Sequence, residues 1–177
     1  MKWSEFVRVA GSRVLTNLSR SSEHTELSTI SSSDISEWRD GSDECFAKIL
    51  DAVSRAGSAD LRMTIERSSR SEQRKLLSTW PGEHYRLLYG LVCAFDVRNA
   101  VEIGTHEGLG TMSMVEAGAT VTTFDTTHWS TFDNCILARS DMPERVVFSS
   151  DDLQEMDTFT KWEPVVSSAN LLFIDGP

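Results

Sequence analysis

The second half of the sequence alternates short β-prone runs with longer helical or mixed segments. The runs are AVEIG at 100–104, ATVTTFD at 119–125, RVVFS at 145–149 and NLLFID at 170–175. The clearest helical character between them lies at 106–117 and 130–140. Strands that alternate with helices require crossover connections, which set the strands parallel and place helices on both faces of the sheet. The pattern therefore predicts an α/β fold with a doubly wound parallel sheet of about four strands.

The residues before the first run are expected to be helical. GEHYRLLYGLVCAFDV, at 82–97, has a broad apolar face that should pack against the sheet. That face comprises Leu87, Leu88, Leu91, Val92 and Phe95. A more polar helix is predicted over about 60–78.

A further helix is predicted from an N-cap at Ser42 to a C-terminal glycine at Gly57. Its apolar residues at helical spacing are Phe46, Ile49, Leu50 and Val53. Residues 19–36 hold eight serines and two threonines, which indicates a mobile linker. A short amphipathic helix around Trp3, Phe6, Val7 and Val14 is expected to precede it. We therefore divide the chain into a segment at 1–41, a helical region at 42–81 and a core at 82–177.

Charge is distributed unevenly along the chain. Residues 1–90 carry 13 basic and 13 acidic groups, whereas residues 91–177 carry 4 basic and 14 acidic groups, and this second half holds the whole net charge of −10. A surface so poor in Lys and Arg is a weak partner for polyanions, which argues against nucleic acid and disfavours NADP or ATP. Three separated cysteines without a CxxC pair and the lack of a long apolar run predict a soluble, cytoplasmic protein with no membrane contact.

The loop after the first run carries three glycines. A dinucleotide fingerprint, GxGxxG, counted from Gly104 requires glycine at 106 and 109, where this chain has His106 and Leu109. A side chain at the second position obstructs the approach of a pyrophosphate to the backbone, which weakens the interpretation as an NAD-linked oxidoreductase. The pattern that remains is ExGxxxGxG, with an acid, Asp125, 21 residues beyond Gly104.

The stretch VEIGTHEGLGT resembles motif I of class I S-adenosylmethionine-dependent methyltransferases, in particular the small-molecule O-methyltransferase-like group. YRLLYGLVCAFDVRNAVEIGT looks like the entry of that group into its first strand, and LLFIDGP resembles its motif at the end of strand four. The resemblance covers roughly residues 82–177. It implies a Rossmann-like fold, S-adenosyl-L-methionine as cofactor and methyl transfer to a small molecule, with an oxygen acceptor favoured.

The resemblance also implies a set of site residues. Asp125 would accept both ribose hydroxyls, Glu102 would support the loop and the cofactor's amino group, and Asp175 would face the transferred methyl or the acceptor. Asp151 or Asp152 would lie near adenine, with Asp152 favoured by register. The complete cofactor-binding set is Glu102, Gly104, Thr105, His106, Gly108, Asp125, Thr126, Asp151 and Asp152, with Asp175 as the catalytic residue. In metal-dependent relatives a carboxylate at Asp175 helps to bind Mg²⁺, which leaves a divalent metal open.

The sequence ends at Pro177, directly after the fourth run. Since the family resembled here usually has seven strands, we expect either a fragment or a natural truncation, with the fourth strand as an apolar edge. A homo-oligomer or a missing C-terminal segment would cover such an edge. The alternative function is a non-catalytic module that binds the cofactor or a partner.

Overall fold

In the computed structural model, the described residues are 7–10, 34–78, 84–138 and 144–175. The strands are β1 (Val7–Ala10), β2 (Asn99–Ile103), β3 (Thr120–Phe124), β4 (Val146–Ser149) and β5 (Leu171–Ile174). The α-helices are α1 (Asp34–Gly57), α2 (Arg62–Arg67), α3 (Ser71–Ser78), α4 (His84–Ala94), α5 (Leu109–Glu116) and α6 (Met156–Ser168). None of these helices is long and apolar enough to cross a membrane.

The strands form one parallel sheet in the order β1-β5-β2-β3-β4. The chain runs outward from β2 through β3 to β4 and then returns to the other side of β2 as β5. The strand order therefore reverses between β2 and β5, which makes that point the expected ligand crevice of the sheet. The α/β, Rossmann-like architecture predicted from the sequence is confirmed.

Alternating strand residues face two different helical layers. On one face Ala100, Val121 and Phe173 pack against buried side chains of α4 and α5. On the other face Val101 and Phe124 pack against residues of α6 such as Trp162. Both faces of the central strands are therefore buried, as is usual for a parallel sheet.

Helix α1 begins at Asp34, eight residues before the predicted N-cap at Ser42, and ends at Gly57 as predicted. Among the side chains described for this helix, at 44–57, those of Ala52 and Ala56 are buried, whereas Phe46 is 61% exposed. The predicted apolar face is thus not the buried one. Helix α4 crosses α1 at Gly90, where a Cβ atom would lie 2.1 Å from the Ala52 carbonyl oxygen. Only glycine permits this approach, so small residues rather than large apolar ones set the packing.

The helix predicted over 60–78 is interrupted at Ser68. This residue ends α2 with extended backbone, and its hydroxyl donates to the Thr64 carbonyl at 2.8 Å. The Arg74 guanidinium then donates to the Ser68 carbonyl at 3.0 Å. Local hydrogen bonds of a serine therefore compete with a continuous helix.

The segment predicted as helical at 130–140 forms two short 3₁₀ helices, Trp129–Thr131 and Ile136–Ala138, in its described part. The sequence STFDN, at 130–134, is rich in residues whose side chains bond to nearby backbone. Thr131 shows this directly, since its hydroxyl donates to the His128 carbonyl at 2.9 Å. Helix α6 was not singled out by the sequence pattern.

Two predictions about the edge of the sheet were wrong. Val7–Ala10, expected in a helix, forms β1 and pairs with Leu171–Ile174. The strand predicted as the exposed edge, β5, therefore lies between β1 and β2. The alternation Val-Arg-Val suits a strand, and pairing satisfies backbone groups that β5 would otherwise leave open. The remaining residues of the 1–33 segment, which hold most of the predicted linker, lie outside the described residues.

Candidate functional site

A cavity of about 650 Å³ opens at the carboxyl ends of β2, β3, β4 and β5. Its size suits a drug-sized or nucleoside-sized ligand. The lining residues come from the ends of all four strands and the loops that follow them. They include Gly104, His106, Asp125, Thr126, Asp151, Asp152 and Asp175 of the predicted set, together with Phe132, Leu153 and Ile174.

The glycine loop enters the left-handed backbone region three times. Gly104 has φ 99°, His106 has φ 45° and Gly108 has φ 82°. Gly104 also donates its N–H to the Phe124 carbonyl at 2.8 Å, which holds the loop against the end of β3. His106 adopts a backbone conformation that is uncommon for residues other than glycine. Its ring packs edge-on against Phe132, with centroids 5.0 Å apart.

Gly108 has a structural reason to be glycine. It caps the N-terminus of α5, and a Cβ atom there would lie 2.6 Å from the Leu137 Cγ atom. Gly108 does not line the large cavity, nor a smaller cavity of about 110 Å³ that shares Gly104 with it. The structure thus assigns it to loop packing, whereas Gly104 lines both cavities.

Asp125 is docked onto the glycine loop. One carboxylate oxygen accepts the His106 N–H at 2.8 Å, and the other accepts the Thr127 N–H at 2.8 Å. Both oxygens keep further lone pairs, because an ionised carboxylate has about four acceptor sites. The two backbone donors fix the orientation of the carboxylate at the cavity wall, where it can accept hydroxyl groups of a ligand.

Glu102 lies beneath the loop and is 1% exposed. Its Oε2 atom accepts hydrogen bonds from the hydroxyls of Thr111 and Thr123. The Thr105 hydroxyl lies 2.6 Å from that of Thr123, so the network extends from α5 and β3 into the loop. Burial raises the pKa of Glu102 to about 7, and the negative charges of Asp175 and Asp125 act in the same direction, whereas the two threonine hydrogen bonds oppose it.

Gly110 completes this buried network. A Cβ atom at this position would lie 2.3 Å from Oε1 of Glu102 and 3.2 Å from the Phe173 ring. The third glycine of the sequence pattern therefore makes room for the buried carboxyl group, a role that the pattern alone did not reveal.

Asp151 and Asp152 behave differently although they are adjacent. The Asp151 carboxylate accepts from Lys161 Nζ at 2.8 Å and from Trp162 Nε1 at 2.6 Å. These hydrogen bonds, together with one involving Ser149, lower its pKa to about 2. Asp152 instead accepts the Gln154 N–H at 2.9 Å in the turn before α6. One oxygen of Asp151 thus accepts from two donors of α6, one oxygen of Asp152 accepts from a backbone N–H, and both side chains line the large cavity.

Asp175 follows β5 and lines both cavities. The second cavity, about 110 Å³, shares Gly104, His106 and Asp175 with the first. Its walls include Tyr85 of α4 and Leu76 of α3, so the helical layer contributes to the site. His84, which the sequence interpretation did not assign, places Nε2 3.7 Å from the Asp175 carboxylate.

The described residues that line the two cavities include no Lys or Arg. Their charged side chains are the carboxylates of Glu102, Glu107, Asp125, Asp151, Asp152 and Asp175. Within the described part of the chain, no three His, Cys, Asp or Glu side chains are arranged so that they could hold a metal ion. The site therefore favours neutral or cationic ligands over phosphates.

The structure brings most of the predicted residues to one crevice, but they line two different cavities there. Those exposed to the large cavity come from strand ends, whereas Glu102 and Thr105 line only the small one. The residues that sequence reasoning missed are His84, Thr111, Thr123 and Thr127, together with Gln73, whose side-chain amide donates to the Glu107 carboxylate at 2.8 Å. Thr123 lies in β3 and Gln73 in α3, and neither belongs to a recognisable motif. Only the three-dimensional arrangement relates them to the loop.

Trp129, four residues beyond Asp125, does not line the large cavity. It packs as a partly buried ring against the cluster that contains Leu137 and Ile136. Phe132 occupies the cavity wall instead.

Comparison with models of protein families and with curated proteins finds no match to this chain. The class of protein is therefore defined by its fold, a Rossmann-like α/β domain, and by an acidic crevice at the switch point of the sheet.

Proposed function

We propose that this protein is an S-adenosylmethionine-dependent methyltransferase that acts on a small molecule, with an oxygen atom as the favoured acceptor. The observation that carries the proposal is the Asp125 carboxylate, which is oriented by two backbone N–H groups at the wall of a cavity of about 650 Å³. Asp125 directly follows β3, the strand next along the chain after the glycine loop, and an acid at this position is suited to accept the two hydroxyls of a ribose.

The same hydrogen bonds argue against a dinucleotide. The loop N–H of His106, at the position where a pyrophosphate would approach, already donates to Asp125. A diphosphate placed there would face the carboxylate and would find no Lys or Arg among the described lining residues. S-adenosylmethionine has no phosphate and carries a sulfonium cation, which fits an acidic crevice.

The fit extends to both ends of the cofactor. Asp152 and Asp125 line the same cavity, at the ends of β4 and β3 respectively. If Asp125 accepts the ribose hydroxyls, the adenine attached to that ribose would lie towards Asp152. Gly104 and Asp175 lie where the two cavities adjoin, which suits the amino-acid end and the sulfonium. When bound, the cofactor supplies an activated methyl group.

The chain's own contribution to the chemistry is alignment. Methyl transfer is an in-line displacement, so most of the acceleration comes from holding the acceptor in line. Asp175, with a side chain 36% exposed at the junction of the cavities, is placed to orient the acceptor group and to accept its proton. The small cavity has an apolar wall formed by Leu109 and Phe173, which suits a small organic acceptor.

Calorimetric titration of the purified chain with S-adenosylmethionine tests the proposal. We expect binding in the micromolar range, and a loss of at least about tenfold in Asp125→Asn, because a charged hydrogen bond to a ligand contributes roughly 1.5–3 kcal/mol. Asp133→Asn is the matched control, since Asp133 is exposed and lines neither cavity.

Two results would contradict the proposal. One is the absence of binding by folded protein, and the other is equal affinity of the wild type for NADH and S-adenosylmethionine. Binding without methyl release in the presence of a panel of small hydroxylated acceptors would favour the alternative, a cofactor-binding module without catalysis.

A further inference from the structure

The contact between His84 and Asp175 lies where the two cavities meet. Asp175 follows β5, and His84 is the first residue of α4, so the helical layer and the sheet each contribute one member. The Nε2 and Oδ2 atoms are 3.7 Å apart, within ion-pair distance but longer than a normal hydrogen bond. The His84 side chain is 21% exposed and the Asp175 side chain is 36% exposed, so the carboxylate is the member that faces the cavities.

The position of the histidine is fixed by its neighbours. Its ring centroid lies 4.0 Å from that of Tyr85 and 6.1 Å from that of Phe173. Phe173 is buried and belongs to β5, two residues before Asp175. Movement of the imidazole away from Asp175 would therefore disturb the packing of α4 on the sheet.

Protonation of this imidazole changes the charge that the crevice presents. When His84 is protonated, its positive charge offsets the negative charge of Asp175. When His84 is neutral, the carboxylate presents its full charge to a ligand. An ordinary histidine titrates between pH 5 and 8, so the two states exchange within the working range of most proteins.

We infer that His84 is a positioning residue that acts through Asp175, and that the pair makes the site prefer a cationic ligand over a neutral one as pH rises. This inference rests on the proposed function, because the sulfonium of S-adenosylmethionine is cationic whereas the sulfur of S-adenosylhomocysteine is neutral. The pair would then favour the methyl donor over the demethylated product.

Other charged groups face the same region and must be separated from the pair. Glu102, on β2, interacts with the charge of Asp175, and Asp125, at the end of β3, interacts with Glu102. Deprotonation of Glu102 would also increase negative charge near the crevice. Glu102→Gln is therefore the control for the titrating group.

Two non-reacting probes test the inference without knowledge of the acceptor. Sinefungin carries an amine in place of the methylsulfonium, and S-adenosylhomocysteine is its neutral counterpart. The quantity measured is the ratio of their dissociation constants by calorimetry at pH 5.5, 6.5, 7.5 and 8. We expect the preference for sinefungin to rise roughly fivefold across this range in the wild type, the upper end for a partly exposed ion pair.

The variants assign the effect. Asp175→Asn should lose the preference for sinefungin at every pH, and His84→Gln should keep it while losing most of its dependence on pH. Glu102→Gln should retain most of the pH dependence and lose only the part that Glu102 itself contributes. A purely structural role for His84 would weaken both probes equally and leave their ratio unchanged.

The outcomes separate the two proposals. If neither probe binds, the proposed function fails. If both bind but the wild-type ratio is independent of pH, or if the dependence is lost in Glu102→Gln and kept in His84→Gln, the inference about His84 is overturned while the proposed function stands. Circular dichroism of each variant verifies that it is folded.

Discussion

Two carboxyl groups that line different cavities of the crevice, Glu102 and Asp151, have pKa values shifted in opposite directions. Glu102 is buried in β2 and has no cation among its described partners, so burial raises its pKa to about 7. Asp151 lies at the end of β4 in contact with Lys161 and Trp162, so hydrogen bonds lower its pKa to about 2. Near pH 7 the first acid is about half protonated, whereas the second is fully ionised.

The difference shows that some acids near the crevice hold the fold together, whereas others remain available to a ligand. A protonated Glu102 can share hydrogen bonds with Thr111 and Thr123 and hold the glycine loop without placing a full charge beneath it. The ionised Asp151 instead fixes α6 to the end of the sheet. Neither group is free to act mainly on a ligand, which leaves Asp125, Asp152 and Asp175 for that purpose.

The largest expected effect is a pH dependence of stability due to Glu102. Its pKa rises on folding, so the folded state binds more protons than the unfolded state between about pH 4.5 and 7. This group therefore favours folding most below pH 4.5, and its contribution falls as pH rises towards 7. This pKa shift corresponds to a change of about 3 kcal/mol in the free energy of unfolding across that pH range.

Urea denaturation at pH 5, 6, 7 and 8 measures this difference between the wild type and Glu102→Gln. We expect the variant to gain stability relative to the wild type as pH rises. Because histidines titrate in the same range, the difference between the two proteins is the informative quantity. Two parallel curves would show that Glu102 does not change its protonation in this interval.

Gly110→Ala should have the next largest effect. The new Cβ would meet Glu102 Oε1 at 2.3 Å, and the carboxyl group cannot move without breaking its threonine hydrogen bonds. We expect a loss of about 2 kcal/mol in the free energy of unfolding, typical of overpacking in a core. Gly57→Ala is the control, since no atom lies within 4 Å of its Cβ position, and its stability should change by less than about 0.5 kcal/mol. Similar changes in the free energy of unfolding for both variants would mean that the hydrogen bonds of Glu102 can rearrange around the new methyl group at little cost.

The smallest effect is expected when the ion pair between Lys161 and Asp151 is removed. Lys161→Met removes the first of the groups that lower the pKa of Asp151, so this pKa should rise from about 2 towards its ordinary value. The lowered pKa favours folding above about pH 3.8, and that contribution is lost as pH falls towards 2. NMR titration of the carboxyl carbon measures the shift.

The control for this measurement is Lys48→Met, which removes a lysine paired with Glu44 on α1, far along the chain from the crevice. It should leave the Asp151 titration unchanged. An unshifted Asp151 in Lys161→Met would assign the low pKa to Trp162 and Ser149 alone.

The sequence predicted the parts of the fold that depend on local periodicity. The four β-prone runs became β2 to β5 within one residue at either end, because apolar strands between polar turns have a strong pattern. Asp125 and Asp175 follow their strands directly and Asp152 lies three residues after β4, so the sequence could predict that all three lie at the carboxyl end of the sheet. The glycine loop was found by the same reasoning.

Features set by contacts between distant residues were predicted poorly. The apolar residues of α1 indicated a helix but not its buried face, since the close approach of Gly90 to Ala52 selects a different side. Strand β1 was missed because its partner, β5, lies more than 150 residues away in the chain. The 3₁₀ segments were missed because side-chain hydrogen bonds decide between conformations of similar energy.

By itself, then, the sequence determined a parallel α/β sheet with a glycine loop and acids at its strand ends, because hydrophobic period and turn residues are local properties. Only the tertiary structure decided what each acid does. It buried Glu102 among threonines, paired Asp151 with Lys161, docked Asp125 onto the loop and set His84 beside Asp175. The charge state of a carboxyl group depends on burial and on neighbours within a few ångströms, and in this chain many of those neighbours are distant in sequence.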